Sequence, residues 1–174
     1  MPKGPVLKTQ RLTLRPIRAS DAQAMARLIN DLDVARMTTA IPHPYSIEDA
    51  HRFIRFVANG NLERQVTFAL KHPVDGYIGC LDFHRSGEEA PEIGYWLGRP
   101  YWGQGLLTEA ARGALTWAKT EWRHRFLNAG HFADNPASAR VLIKADFLYT
   151  GVVQQRYSVA RGAVAETRMM IWLA

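Results

Sequence analysis

The stretch from Glu92 to Ala111 constrains this chain most. Six residues of strand composition, Glu92-Ile93-Gly94-Tyr95-Trp96-Leu97, run through a glycine-containing turn into a helix predicted over residues 105–122. The small residues Ala110, Ala111, Gly113, Ala114 and Ala118 let that helix approach a sheet closely. The first N–H groups of a helix lack intrahelical partners and sit at the positive end of its dipole. The amides around Gly103, Gln104, Gly105, Leu106 and Leu107 can therefore hold a pyrophosphate, and glycine lets the backbone come close to it. A Gly-x-Gly pair serves a purely structural turn equally well, so context must decide.

Context first removes two nucleotide-binding readings. The Gly-Lys-Ser/Thr ending of a P-loop is missing, and a dinucleotide fingerprint needs a third glycine and a parallel, doubly wound chain. Residues 66–70, 76–83 and 92–97 are instead three strand-like runs joined by short turns at 72–76 and 86–89, the pattern of an antiparallel meander.

Before the meander, Arg11 to Arg15 alternates as a strand. Ser20-Asp21-Ala22-Gln23 then offers a capping box ahead of Ala24, Met25, Leu28, Ile29 and Leu32 at helical spacing. A second helix is predicted after Ser46, with Asn59-Gly60 as its stop, and the proline-containing segment 41–45 is a loop. After the long helix come a strand at 126–132, a helix opened by Asn135-Pro136, and closing strands at 147–153 and 167–173. The reading is one α/β domain of mixed α+β character over residues 1–174, with about seven strands and about four helices.

The net charge of +6 favours polyanionic partners, but Lys and Arg are scattered, with their densest cluster at Trp122-Arg123-His124-Arg125. With no recognition motif, stable nucleic-acid binding is not expected. No apolar run approaches the roughly 18 residues that span a bilayer, so no membrane association is expected either. The lone Cys80 suits a small core residue in a reducing, cytoplasmic protein. Six histidines without a His-x-x-x-His pair give no expectation of a metal.

Several separated motifs, taken together, carry a resemblance. Glu-Ile-Gly-Tyr-Trp-Leu at 92–97, Tyr-Trp-Gly-Gln-Gly at 101–105 with Thr108-Glu109-Ala110, Asn135-Pro136-Ala137-Ser138 and Lys144-Ala145-Asp146-Phe147 resemble the RimJ/RimL-type GNAT acetyltransferases. The likeness spans nearly the whole chain, including Leu-Lys-Thr-Gln-Arg-Leu-Thr-Leu-Arg-Pro at 7–16. It implies the GNAT fold: a twisted, mostly antiparallel sheet splayed between its fourth and fifth strands. It also implies an N-acetyltransferase that takes acetyl-CoA as cosubstrate.

By that resemblance Trp102, Gly103, Gln104, Gly105, Leu106, Leu107 and Thr108 hold the coenzyme pyrophosphate, and Tyr95, Trp96 and Leu97 border the pantetheine arm. Unpaired amides of a splayed strand suit such an arm physically, since the amide-rich pantetheine can pair with them like an added strand. Glu92 is the base expected to take the amine proton, its alternative being a solvated strand-end residue. Many family members place a tyrosine acid where Leu142 stands here, so Ser138 is expected to take that part, unless it only satisfies a local amide. Asn135 is expected to cap its helix and touch the coenzyme arm. Leu107 and Asp146 depart from the small residue and the glycine usual at their positions.

Tyr101 and Trp102 either stack on the coenzyme or wedge strand against helix, Tyr95 and Trp96 are read as lining the acceptor side, and His131 as structural or substrate-contacting. The segments 38–45 and 154–165 are expected to face the acceptor. Neither holds an acidic cluster, which favours a peptide N-terminus or a small-molecule amine over a polyamine. A non-catalytic acyl-CoA sensor is the alternative. Apolar Met169 to Leu173 fits either a homodimer interface or an internal strand.

Overall fold

The computed structural model describes residues 4–85 and 89–174. Eight strands form one sheet: β1 (Leu7–Lys8), β2 (Thr13–Pro16), β3 (Gln65–His72), β4 (Gly76–His84), β5 (Glu92–Leu97), β6 (Phe126–Phe132), β7 (Leu148–Ser158) and β8 (Ala163–Leu173). Their order is β1-β2-β3-β4-β5-β6-β8-β7, antiparallel throughout except for the parallel pair β5–β6. The helices are α1 (Ala22–Ile29), α2 (Leu32–Ala35), α3 (Ile47–Ala58), α4 (Leu106–Thr120) and α5 (Pro136–Lys144). No helix among the described residues is long and apolar enough to cross a membrane.

Each face of the sheet carries its own core, as strand alternation requires. Leu81, Phe83, Ile93, Leu97 and Met170 pack with Ala110, Ala114 and Leu142 of α4 and α5. Cys80 and Trp96 pack on the other face with Met25, Leu28, Ala50 and Ile54 of α1 and α3. The alanines of α4 are fully buried, the close approach their size predicts.

Several boundaries differ from expectation. The first helix stops at Ile29 rather than running through Leu32, because Asn30 turns its Oδ1 to the Tyr45 amide at 2.9 Å and Asp31 caps a separate turn by accepting from the Asp33 amide. Ser20 does not form the capping box. Asp21 accepts from the Arg18 amide at 2.8 Å and grips the buried Arg15 guanidinium at 2.7 and 2.8 Å. Ser46 does cap α3, exchanging hydrogen bonds with Asp49.

The closing hairpin runs on to Ser158 and from Ala163, five residues further than predicted in β7 and four in β8. Apart from Glu89, the turn expected at 86–89 lies outside the described residues. Asp146 has φ +66, the left-handed conformation that Asp tolerates better than most residues.

Candidate active site

Strands β5 and β6 pair only at Glu92 with Asn128 and Ile93 with Ala129, and then diverge. From Gly94 to Leu97, β5 keeps its ladder to β4 but has none toward β6. The edge of β5 that faces this wedge carries main-chain polar groups that a splayed sheet cannot satisfy internally. Because β5 and β6 run parallel, the turn into α4 and the start of α5 both follow strand ends on the open side of the wedge.

The turn into α4 is shaped for an anion. Gly103 and Gly105 both sit at φ +74, and Gly105 is the residue immediately before the helix. A Cβ would meet nothing within 4 Å at Gly103, so the left-handed backbone, not crowding, demands glycine there. Gly103, Gln104 and Gly105 are exposed, whereas the Leu106 side chain is buried in the core and Leu107 packs against it. These residues can serve a phosphate through backbone amides, not side chains. Thr108 lies on the first turn of α4.

Trp102 donates its indole N–H to the Leu97 carbonyl at 2.7 Å, and Arg99 lies over its ring at 5.9 Å. Its side chain therefore wedges the strand end to the turn. Arg11, which the sequence did not single out, pins the same turn from β2's side. Its Nη1 donates to the Gln104 carbonyl at 2.9 Å while its Nε and backbone amide bind Glu109 at 2.7 and 2.6 Å. Thr9 adds a third hydrogen bond to Glu109 at 2.6 Å.

On the α4–α5 face, Asn135 caps α5 by accepting from the Ser138 amide at 3.1 Å. The Tyr95 hydroxyl lies 2.9 Å from Ser138 Oγ and 3.2 Å from the Ser138 carbonyl. Burial pushes the Tyr95 phenol up, while its bond to Ser138 works in the opposite direction. The net rise keeps the phenol protonated at neutral pH. Leu142, at the position where the resemblance expects a tyrosine, is buried in the core, while the Tyr95 phenol reaches α5 from the strand. Tyr95 and Trp96 do not share the acceptor side, because neighbours on a strand point to opposite faces. Trp96 belongs to the α1–α3 core and Tyr95 packs on the other.

Glu92 occupies the α1–α3 face, where Arg156 from β7 binds both of its carboxylate oxygens at 2.5 and 2.9 Å. The carboxylate holds the Arg156 guanidinium above its ordinary value. Gly130 lies beneath this region, where a Cβ would come within 2.9 Å of Thr167 Cγ2 and 3.3 Å of Arg156 Nη1. Beside them His84 pairs with Asp82 at 2.8 Å, a bond that raises the His84 imidazole. Thr39, His84, Glu92, Arg156 and Tyr157 border a cavity of about 340 Å3.

The two segments expected to face an acceptor are brought together here. Val159 donates to the Thr39 carbonyl and Ser158 Oγ to the Thr38 carbonyl, both at 2.9 Å. Arg161 then ties Asp134 and the Arg36 carbonyl to the hairpin end and lies 4.7 Å from the Phe132 ring centre. His131 is buried between the Phe132 carbonyl, to which its Nδ1 donates, and the Tyr149 hydroxyl, each at 2.9 Å, a structural placement.

Arg11, Arg156 and Tyr95's reach to α5 escaped the sequence reading because each depends on partners 43 to 98 residues away. The Arg11-Leu12 dipeptide of the N-terminal motif was the one available signal.

Residues 11–148 match the family model of the acetyltransferase (GNAT) domain. The chain is 27% identical over 167 residues to the uncharacterized N-acetyltransferase p20 of Bacillus licheniformis, covering 94% of this chain and 93% of that protein. It is similar in fold to a RimL ribosomal-protein α-N-acetyltransferase solved with coenzyme A, with TM-score 0.84, 18% identity, and coverage of 97% and 98%. Mycobacterium smegmatis RimJ, solved with a coenzyme A disulfide, superposes with TM-score 0.81 at 21% identity over 98% of this chain and 88% of its own.

Proposed function

The chain belongs to the GNAT acetyltransferase family, and on that premise we propose that it transfers the acetyl group of acetyl-CoA directly to a primary amine. The observation that carries this reading is the short β5–β6 ladder, which ends after Ile93 and Ala129 and leaves a wedge between the faces of the sheet. Two chemically different sets of groups flank it. Ser138, Asn135 and Tyr95 lie on the α4–α5 face, and Glu92 with its cavity lies on the α1–α3 face.

The division of labour follows from those positions. Amides of residues 103–107 bind the pyrophosphate at the positive end of α4, and Arg11 fixes the turn that presents them. Unpaired amides of β5 pair with the pantetheine arm. The acetyl donor supplies an activated thioester carbonyl at the wedge, and an unpaired β5 N–H polarises it. Glu92, directly or through a water, takes the proton that the attacking amine must lose. Ser138 Oγ, on the first turn of α5, donates toward the departing sulfur, and the Tyr95 hydroxyl holds that serine in place. A thiolate there also gains from the α5 N-terminus.

A sensor that binds acetyl-CoA without turnover is favoured by one observation, the capture of both Glu92 oxygens by Arg156. Calorimetric titration of acetyl-CoA, followed by thiol release with a panel of amines, separates the two. Binding with turnover supports the transferase, binding alone supports the sensor, and absence of binding overturns both.

A further inference from the structure

Resting on the transferase reading, we propose that the acceptor is a free α-amino acid, whose carboxylate replaces Glu92 as the partner of Arg156 while its amine is delivered to Glu92. A carboxylate held by both arms of a guanidinium is a poor base, because the guanidinium stabilises its charged form. The pair is also largely withdrawn from solvent, with side-chain exposures of 26% for Arg156 and 19% for Glu92. Removing either partner without replacement leaves a charge uncompensated in a desolvated setting.

An amine acceptor arrives as an ammonium ion. At Glu92 it meets Arg156 at contact distance, so a purely cationic acceptor adds a second positive charge beside an arginine that is losing its partner. That juxtaposition carries a penalty, which His84, already hydrogen-bonded to Asp82 at 2.8 Å in the same cavity, does nothing to relieve. An acceptor with its own anion avoids it, since both buried charges stay paired through an exchange of partners. The spacing limits how far apart the acceptor's charges can be. Arg156 Nη1 and Glu92 Oε1 are 2.5 Å apart, so an acceptor whose ammonium and anion are a few bonds from each other, as in an α-amino acid, reaches both with the least separation of the pair.

The remaining groups fit a small zwitterion. The cavity of about 340 Å3 is at the small end of ligand sites, which run from roughly 300 to 1,000 Å3. Gln154 Oε1 accepts from Arg156 Nε at 3.0 Å, which keeps the guanidinium fork oriented while its two Nη groups change partner. Exposed Glu89, at the cavity rim, is the other acidic side chain lining it and attracts the Arg156 guanidinium without a hydrogen bond to be exchanged.

The test compares kcat/KM for free L-α-amino acids against the corresponding amides, with spermidine and a tripeptide of neutral side chains in the same panel. Acetyl-CoA binding is measured in parallel for the wild type and Arg156→Gln. The expected result is a preference for some free acid over its amide of about tenfold or more, collapsing in Arg156→Gln while acetyl-CoA affinity is retained. Amides, spermidine or the neutral tripeptide turned over as well as or better than every free acid overturns the proposal, as does a panel with no free acid turned over. In both cases intact acetyl-CoA binding leaves the coenzyme reading standing, whereas loss of that binding in the wild type sinks the transferase reading itself. If Arg156→Gln fails to fold, the acid-to-amide ratio of the wild type decides alone.

Discussion

Tyr95 Oη stands 2.9 Å from Ser138 Oγ, joining strand β5 to the first turn of α5 across the wedge where β5 and β6 part. Burial raises the phenol, so it stays protonated at neutral pH and is available as a hydrogen-bond partner of Ser138. Ser138→Ala is expected to lower kcat by about 100-fold, the lower end for a general acid. Tyr95→Phe is expected to lower it by about tenfold, in line with a net hydrogen bond of about 1 kcal/mol. Because the two act through one contact, the double variant is expected to be scarcely worse than Ser138→Ala, which a double-mutant cycle in kcat measures directly.

Glu92→Gln keeps the shape of the side chain and removes its basicity. A fall in kcat/KM of roughly 10²- to 10⁴-fold is expected, with acetyl-CoA affinity unchanged, because Glu92 lies on the face opposite the coenzyme. Stability is expected to drop as well, since Arg156 exchanges a carboxylate for a neutral amide. Single-turnover kinetics beside thermal melts separate the two effects.

The turn before α4 makes a backbone prediction. Gly103→Ala and Gly105→Ala are each expected to cost about 1–2 kcal/mol, the strain of a left-handed residue, though a Cβ at either position has room. Arg11→Met is expected to raise the KM for acetyl-CoA about tenfold or more with little change in kcat, through loss of the charge-assisted bonds to the Gln104 carbonyl and the Glu109 carboxylate. Steady-state kinetics with acetyl-CoA as the varied substrate give the split between KM and kcat.

His84 titrates above its ordinary value of 6.5, principally because of its hydrogen bond to Asp82. The stabilisation from that pair is complete below 6.5 and fades as the pH rises through the raised value. An NMR titration is expected to find the His84 midpoint above 6.5 and to find it lowered in Asp82→Asn.

Much of this fold is legible in the sequence, because its apolar runs are bounded by turn residues and its glycine turn admits few conformations. Glu92–Leu97 and Phe126–Phe132 were read with the bounds they have, and Asn135 caps α5 as its position before Pro136 implies. The break after Ile29 was not legible: it depends on Asn30 meeting the Tyr45 amide fifteen residues later. The two-residue β1 is too short to leave a periodic signal. In the site, the residue types expected at 92, 95 and 138 are present, but their arrangement is a tertiary matter. Arg156 lies 64 residues from Glu92, and only the order of β6, β8 and β7 brings it across.

Thiol release from acetyl-CoA, measured together with the N-acetylated product over a panel of amines, tests the central claim most directly. One thiol released per amide formed, slowed by about 100-fold or more in Glu92→Gln while acetyl-CoA still binds, is the predicted result. Tight acetyl-CoA binding with no amide from any amine, or turnover that survives Glu92→Gln unchanged, would contradict it.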